Sequence, residues 1–367
     1  MPTILSVVGA RPNFMKVGPV HDALVATGRA TSVVVHTGQH YDARMSDVFF
    51  RDLGLPEPAH YLGIGGGTHA SQTARVMMAF EPVLDEVAPD AVVVVGDVNS
   101  TLAASLVAAK KHVPVAHVEA GLRSGDRAMP EELNRICVDH LADRLYVTEQ
   151  SGMDNLAREG VPSERVAFVG NVMIDSLLKH RERATESSIV ADLGLAWTPF
   201  ALVTVHRPRN VDGPEALAEV VRTIEAVSAH LAVVLPLHPR TRNRLEENGL
   251  LARLESLDDV HLIPPAGYLD FLALMDAAAV VVTDSGGIQE ETTALGVPCL
   301  TVRPSTERPS TVELGTNELL PLDAEAVARA VERVARGAAK KGTVPPLWDG
   351  RAGERIAADL LAWLGKT

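Results

Sequence analysis

Two glycines at the end of an apolar run give the clearest chemical signal in this sequence. The segment 279-AVVVTDSGGIQEETTALG-296 joins a predicted buried strand to a Ser-Gly-Gly turn and then to a helical pattern. Glycine lets a ligand approach the backbone closely, and amides at the start of a helix carry partial positive charge. We therefore predict that Ser285, Gly286 and Gly287 bind a phosphate or diphosphate, and that Glu290 or Glu291 accepts hydrogen bonds from a ribose diol. A turn with a purely structural purpose is the alternative for this segment taken alone.

Polar and charged residues also cluster after other predicted strands. These clusters are 9-GARPNFMK-16, 96-GDVNST-101, 119-EAGLRSGDRAMPEELNR-135, 206-HRPRN-210 and 303-RPSTERPST-311. Ligands of open α/β sheets bind at the carboxyl ends of the strands, so the clusters predict a site rich in carboxylates, arginines and helix N-termini. His238 follows a strand as well, and a site role and a structural role are equally good interpretations for it.

The sequence gives no sign of a metal or a redox cofactor, and we predict neither. No G-x-G-x-x-G follows a strand, and 63-GIGGG-67 stands in a different context, which argues against a nicotinamide cofactor. His36 and His40 are not expected to bind metal, because the intervening TGQ suggests a strand end rather than a helix.

The elements that must position these residues alternate between strand and helix. Apolar runs recur at 3–9, 31–36, 90–96, 114–118, 144–148, 165–170, 200–206, 232–238, 260–264, 279–283 and 298–302. They are continuously apolar, as is typical of parallel strands covered on both faces. With the helical patterns between them, they predict an α/β protein with two Rossmann-like, doubly wound domains that meet at a break near residues 170–177.

Composition excludes several classes of partner. The chain has 367 residues, enough for two domains, and a net charge of −13 from 47 acidic and 34 basic residues. This charge argues against nucleic acid or an anionic membrane as a partner. The two cysteines exclude a disulfide framework. We expect Cys137 to pack in the core on a helical face and Cys299 to lie in a strand. With no signal segment and no apolar run of membrane length, we expect a cytoplasmic protein.

Several motifs resemble one known family. GARPNFMK, GDVNSTLA, PVAHVEAGLRS, MPEELNR, VGNVMIDSL, VTVHRPRN, TDSGGIQEE and STERPSTVELGT resemble the non-hydrolysing UDP-N-acetylglucosamine 2-epimerases, from residue 9 to about residue 316. The resemblance implies a glycosyltransferase-B-like homodimer with a UDP-sugar substrate and an active site in a cleft between two domains. These would comprise residues 1–171 plus 351–367, and residues 172–350.

The resemblance also implies a reaction and roles for particular residues. UDP leaves C1 of UDP-GlcNAc, C2 loses its proton to give 2-acetamidoglucal, and proton and UDP then add back to give UDP-ManNAc. By motif, the catalytic residues would be Asp97, Glu119, Glu131 and His206. The residues binding the diphosphate, neighbouring sugar, uracil or ribose would be Arg11, Lys16, Phe271, Ser285, Gly286, Gly287, Glu291 and Arg308.

The sequence departs from the family pattern at informative positions. Asn13 stands where Arg-Pro-Glu is usual, and Arg209 stands where a glutamate is common. The segment 38-GQHYDARM-45 differs from the sequence that forms the family's allosteric site. Other segments resemble relatives acting on UDP-2,3-diacetamido-2,3-dideoxy-glucuronic acid, and for that substrate we expect Arg209 or Arg44 to contact the added carboxylate.

Three alternatives to this reaction therefore stay open. They are the 2-epimerase of that uronic acid, a hydrolysing epimerase that releases UDP, and a glycosyltransferase of the same architecture. A glycosyltransferase needs an acceptor site and no proton shuttle at C2, so the three carboxylates of the first half favour an epimerase.

Overall fold

The structure is a computed structural model that describes residues 1–38, 54 and 57–365, apart from the side chain of Arg11. The chain divides into two compact units. The first comprises Met1–Lys179 with Pro346–Thr367, and the second comprises His180–Pro345.

The first unit is built on a seven-stranded parallel sheet. Its strands are β1 (Thr3–Val8), β2 (Thr31–His36), β3 (His60–Tyr61), β4 (Ala91–Val95), β5 (Val115–Ala120), β6 (Arg144–Val147) and β7 (Val166–Phe168). They lie in the order β3-β2-β1-β4-β5-β6-β7. Its helices are α1 (Arg11–Thr27), α2 (His69–Val87), α3 (Asn99–Lys110), α4 (Pro130–Leu141), α5 (Gln150–Arg158) and α6 (Val172–Ala184), the last of which continues into the second unit. A 3₁₀ turn covers Ser163–Arg165.

The second unit repeats this plan with six parallel strands. They are β8 (Phe200–Thr204), β9 (Ala232–Pro236), β10 (Val260–Ile263), β11 (Val280–Thr283), β12 (Cys299–Val302) and β13 (Asn317–Leu320), in the order β10-β9-β8-β11-β12-β13. Its helices are α7 (Ile189–Asp192), α8 (Pro208–Val211), α9 (Pro214–Ser228), α10 (Pro239–Glu247), α11 (Leu251–Glu255), α12 (Tyr268–Ala277), α13 (Gly286–Leu295), α14 (Pro309–Glu313) and α15 (Ala324–Ala335). The final helix, α16 (Ala352–Leu364), belongs to the first unit, where a Cβ at Gly353 would lie only 2.6 Å from the carbonyl oxygen of Pro19 on α1.

The apolar runs of the sequence are the central strands of these sheets. All five residues of β4 and all four of β11 are buried, because helices cover both faces of each sheet. The prediction of two doubly wound parallel α/β sheets is therefore confirmed. Within the described residues, no helix is both long and apolar enough to cross a membrane.

Three details differ from the sequence analysis. β3 and β13 were not predicted; each is a short strand at a sheet edge. β13 has the half-polar sequence NELL, with only its first residue fully buried. The prediction that Cys137 packs in the core is wrong, because this residue of α4 is exposed. The helix instead buries the face that carries Asn134, Arg135 and Val138, which a search for apolar residues alone does not find.

Candidate active site

Each sheet brings its charged residues to the point where the strand order reverses. In the first unit this point lies between the neighbouring strands β1 and β4, and in the second between β8 and β11. Helices run to opposite faces on either side of such a point, which leaves a crevice at the carboxyl ends of the strands. Most of the predicted residues follow these strands or lie on or after β5, whereas Arg308 follows β12 and Phe271 lies on the helix after β10. Each unit therefore has its own candidate half-site.

A buried ion pair lies at the centre of the first half-site. The Nζ of Lys16 on α1 contacts Oε2 of Glu119 at the end of β5, and both side chains are less than one-tenth exposed. Gly96 permits this contact, since a Cβ there would lie 3.1 Å from that Nζ and 3.4 Å from that Oε2. A buried pair of this kind strongly penalises loss of either partner, because one charge would stay buried and unpaired. Lys16, for which the family resemblance implies contact with the diphosphate and neighbouring sugar, is thus paired with a proposed catalytic carboxylate.

The backbone at Glu119 is strained. Its φ of 72° is in the left-handed region, which a residue with a long side chain rarely adopts. The pairing of β5 with β6 shifts register between Val118 and Ala120, so Glu119 is the extra residue of a bulge. Such strain costs on the order of 1–3 kcal/mol and persists where the surrounding structure fixes it. The bulge re-aims one side chain of an otherwise regular strand, which is a common feature next to active sites.

Asp97 forms an ion pair with an arginine of α4, the helix that follows β5. The guanidinium of Arg135 contacts Oδ2 of Asp97 through Nη2, and its Nη1 donates to Glu132 at 2.9 Å. Glu132 is buried and also accepts from the backbone N–H groups of Ser124 and Gly125. The side chain of Asp97 is 29% exposed, so this carboxylate is positioned from one side and open from another.

Glu131 has a different environment. It lies half-buried in the first turn of α4, beside the fully anchored Glu132. Among the residues that the structure describes, its carboxylate has no recorded hydrogen bond or ion pair. It therefore combines a fixed backbone with an uncommitted carboxylate, which is what proton transfer to a ligand requires.

The hydrogen bonds of Asn13 account for the asparagine at a position where the family pattern usually has glutamate. Its Oδ1 accepts from the backbone N–H groups of Gly9 and Ala10, at 3.1 and 2.9 Å. Its Nδ2 donates to the carbonyl oxygen of Val95 at 3.2 Å. The residue thus ties the start of α1 to the end of β4, and a carboxylate could not supply the last of these bonds.

In the second half-site, a buried carboxylate orients His206. Asp284 is fully buried at the end of β11 and accepts from the backbone N–H groups of His206 and Arg207 and from Nδ2 of Asn210. Its Oδ1 also lies 3.2 Å from Nδ1 of His206. With Nδ1–H directed at the carboxylate, Nε2 is the ring nitrogen that can exchange a proton with a ligand. The imidazole is about half exposed, so that nitrogen is accessible.

His238 has a structural role in this half-site. Its Nδ1 accepts from the N–H of Arg240 at 3.2 Å, which caps α10. Burial, followed by the positive charges of His206 and Arg240, lowers the pKa of His238. A neutral ring is what a nitrogen that accepts this hydrogen bond requires.

The Ser-Gly-Gly turn starts α13 as predicted. Ser285 is the N-cap, and its own N–H donates to Oγ1 of Thr283 at 3.0 Å. Gly286 and Gly287 occupy the first two helical positions, where backbone N–H groups have no intrahelical acceptor. These two amides, rather than the amide of Ser285, are therefore the donors that the turn offers to an anion.

An arginine and carboxylate cluster packs against this turn. Nε of Arg308 lies 3.0 Å from Glu290, and its Nη1 contacts Glu307, which in turn accepts from Arg303 at 2.8 Å. A Cβ on Gly286 would lie 2.7 Å from the Arg308 guanidinium and 2.8 Å from Glu307. The glycine is thus required by the close approach of charged side chains as well as by the amides.

Arg207 adds a further charge to this cluster. Burial and the neighbouring positive charge of Arg303 lower the pKa of Arg207, while Glu307 and Asp284 oppose that effect. Arg308, which the sequence analysis assigned to the diphosphate, is therefore one of three arginines in a cluster that also holds three carboxylates.

Glu291 lies buried one turn further along α13. Burial, followed by the charge of Glu290, raises its pKa from 4.5 to about 8. The hydroxyl of Tyr268 lies 3.5 Å from its Oε1, and the ring of Tyr268 packs edge-on against His180 at 5.8 Å between centroids. Phe271, the predicted uracil contact, lies half-buried on the same helix as Tyr268.

Some residues in these half-sites were not assigned from sequence, and some predictions lie outside the described residues. Asp284, Arg207, Arg303 and Glu307 stood in the quoted motifs, but their partners come from elsewhere in the fold. The side chain of Arg11 and the segments that contain Arg44 and His40 are outside the described residues. His36 is buried between Phe14 and Tyr61, with ring centroids at 5.0 and 4.9 Å, and burial lowers its pKa to about 4. No cluster of three or more potential metal ligands occurs among the described residues.

Two Rossmann-like sheets with charged groups at their reversal points define a two-domain α/β class, and comparisons identify the family. A family model described as UDP-N-acetylglucosamine 2-epimerase matches residues 22–361. A UDP-N-acetylglucosamine 2-epimerase of Methanocaldococcus jannaschii is 41% identical over 360 residues, 95% of this chain and 96% of the relative. A UDP-2,3-diacetamido-2,3-dideoxy-D-glucuronate 2-epimerase of Pseudomonas aeruginosa is 44% identical over 321 residues, 86% and 88% of the two chains.

A solved structure agrees. The crystal structure of the Methanocaldococcus jannaschii UDP-GlcNAc 2-epimerase in complex with UDP-GlcNAc and UDP matches with a TM-score of 0.90 and 40% identity. The match covers 98% of this chain and 99% of that chain. The protein therefore belongs to the UDP-N-acetylglucosamine 2-epimerase family, and the resemblance predicted from its motifs is confirmed.

Proposed function

We propose that this protein is an epimerase that interconverts UDP-GlcNAc and UDP-ManNAc by inversion at C2. One observation carries the proposal. The fold is shared at a TM-score of 0.90 with an enzyme whose crystal structure holds UDP-GlcNAc and UDP. Asp97, one of the proposed catalytic carboxylates, follows β4 beside the reversal point of the first sheet, which supports the proposal.

The first step is loss of UDP from C1. The C1–O bond breaks with its electron pair on the β-phosphate, so C1 becomes cationic and the neighbouring C2–H becomes acidic. The N–H groups of Gly286 and Gly287, together with His206, stabilise the negative charge that develops on UDP. His206 is suited to this role because Asp284 contacts Nδ1, which leaves Nε2 of this half-exposed side chain to exchange a proton.

The second step is transfer of the C2 proton. A carboxylate takes the proton, and the C2–H electron pair forms the C1=C2 bond of 2-acetamidoglucal. A second acid then protonates C2 from the opposite face, and UDP adds back to C1. Asp97 and Glu131 are the proposed acid and base, because both carboxylates are partly exposed, whereas the Glu119 carboxylate is buried against Lys16.

A direct assay tests the activity. ¹H NMR of UDP-GlcNAc with the protein should show UDP-ManNAc appear until a constant ratio is reached, with no accumulation of free UDP. Asp97→Asn and Glu131→Gln should each lower kcat by about 10²–10⁴-fold, the usual contribution of general acid–base catalysis. Formation of free ManNAc and UDP at the full turnover rate would instead indicate the hydrolysing reaction.

One observation supports a second substrate. The Pseudomonas aeruginosa diacetamido-glucuronate epimerase is 44% identical to this chain, compared with 41% for the Methanocaldococcus jannaschii enzyme. Arg209 on α8 is exposed and, among the described residues, has no recorded ion pair. If the uronate is the substrate, its turnover should exceed that of UDP-GlcNAc, and Arg209→Gln should reduce only uronate turnover. Equal effects of this variant on both UDP-sugars would exclude a role in recognising the carboxylate.

The assembly and location of the protein are also proposals. We propose a homodimer in the cytoplasm, supported by the family resemblance and by a sequence with only two cysteines. Light scattering coupled to size exclusion should give twice the 39.1 kDa mass of the chain. A monomer mass at assay concentration would contradict the dimer.

A further inference from the structure

A histidine and an aspartate lie fully buried behind the first half-site and have no role in the proposed reaction. His117 is in the middle of β5, and Asp139 is in the last turns of α4. Both side chains are 0% exposed. Ionisable groups in such a place must be paired, since an unpaired buried charge is very costly.

Both nitrogens of the His117 ring face acceptor oxygens. Nδ1 lies 2.7 Å from Oδ1 of Asp139, and Nε2 lies 2.8 Å from the carbonyl oxygen of Gly96. A carbonyl oxygen can only accept, so Nε2 carries a proton. If Asp139 is ionised, Nδ1 carries one as well, and the ring donates from both sides.

Other contacts favour the ionised form of Asp139. Its Oδ2 accepts from the N–H of Gly121 at 3.0 Å and from Nη1 of Arg123 at 2.7 Å. Burial alone would raise the pKa of Asp139, but the contacts with His117 and Arg123 outweigh burial and lower it. Arg123 is itself fixed by two bonds to Glu159, at 2.8 and 2.7 Å.

This network holds the two turns that carry the proposed catalytic carboxylates. Gly96, which receives the His117 bond, has a φ of 63° and directly precedes Asp97. Gly121, which donates to Asp139, has a φ of 82° and follows the bulge at Glu119. Asp139 is therefore hydrogen-bonded directly to the turn at Gly121, and through the imidazole of His117 to the turn at Gly96.

We propose that His117, doubly protonated between Asp139 and the Gly96 carbonyl, is a positioning residue that sets the geometry of Asp97 and Glu119. The proposal rests on the proposed function for its kinetic part. The side-chain hydrogen bonds of His117 and Asp139 join them to each other and to Gly96, Gly121 and Arg123, so loss of the network should affect the chemical step and leave substrate binding largely unchanged. A displacement of about 1 Å at a catalytic group can cost about 10²-fold in rate.

Kinetics test the positioning role. The side chain of His117→Gln keeps an amide N–H that can donate to the Gly96 carbonyl oxygen. Its amide oxygen, however, cannot donate to the Asp139 carboxylate as Nδ1–H of the histidine does. We expect kcat to fall by about 10²-fold, with KM for the UDP-sugar within about threefold of wild type. His21→Gln is the matched control, because it makes the same substitution at a histidine of α1 that bonds Ser32 at 2.8 Å near the start of β2, whereas both turns follow the ends of strands. That variant should lose stability but keep kcat. A His117→Gln variant with unchanged kcat, or with its loss confined to KM, would overturn the proposal.

NMR tests the protonation directly, even if His117→Gln fails to fold. In wild-type protein with ¹⁵N-labelled histidine at about pH 7.5, both ring nitrogens of His117 should show the shifts and couplings of protonated nitrogens. An unprotonated nitrogen in this ring would overturn the proposal. If the wild-type protein turns over no UDP-sugar, the proposed function fails, whereas this measurement still decides how His117 is held.

Discussion

The sharpest quantitative prediction concerns Glu291, the buried carboxylate of α13. Burial and the charge of Glu290 raise its pKa from 4.5 to about 8. Between these two values the folded protein binds a proton that the unfolded chain has released. Stability must therefore fall as pH rises through this interval, because the folded state has to give up that proton.

The size of the effect follows from the same numbers. One pH unit corresponds to about 1.4 kcal/mol, so the interval from 4.5 to about 8 corresponds to about 5 kcal/mol. The part that falls between about pH 6 and pH 9 is about 3 kcal/mol. Glu291→Gln has no proton to lose and should not show this dependence.

Denaturant unfolding followed by circular dichroism measures the difference. The free energy of unfolding of wild type minus that of Glu291→Gln should fall by about 3 kcal/mol between about pH 6 and pH 9. Other titrating groups cancel in this difference. Glu247→Gln, an exposed change on α10, serves as the control and should run parallel to wild type. Parallel curves for wild type and Glu291→Gln, within about 0.5 kcal/mol, would show that Glu291 is already ionised at neutral pH and that its pKa is not raised.

Three further predictions concern the two half-sites. If the ionised Glu291 binds the ribose, UDP affinity measured by calorimetry should rise about tenfold between about pH 7 and pH 9, and should be flat in Glu291→Gln. Lys16→Met and Glu119→Gln should each destabilise the protein by about 3–5 kcal/mol, and the double variant by much less than their sum; additive losses would contradict a buried pair. Gly286→Ala should weaken UDP binding at least about tenfold, because its Cβ would lie 2.7 Å from Nη1 of Arg308. Gly213→Ala should leave UDP binding unchanged, because a Cβ there has open space around it.

Much of this architecture could be predicted because parallel sheets obey simple rules. Continuous apolar runs such as that of β4 indicate strands buried on both faces, and the exits of such strands meet at one edge. The Ser-Gly-Gly turn is a local feature, so its place at the start of α13 could be predicted from sequence alone. The edge strand β13 could not, because its half-polar sequence carries a weak signal.

The sequence alone does not indicate which charged residues pair with each other. Lys16 and Glu119 are 103 residues apart, and nothing local indicates that they pair. The bulge that turns Glu119 toward this lysine also has no sequence signature. His117 did offer one signal, since a histidine inside an otherwise apolar strand needs a buried partner. The identity of that partner, Asp139, required the packing of α4 on the sheet.

The most direct test of the central claim is incubation of UDP-GlcNAc with the protein in D₂O, followed by ¹H NMR. Epimerisation through loss of the C2 proton predicts that the UDP-ManNAc formed carries deuterium at C2, and that Glu131→Gln slows its appearance. UDP-ManNAc that keeps its original hydrogen at C2, or a UDP-sugar pool that stays unchanged with folded wild-type protein, would show that this reaction does not occur.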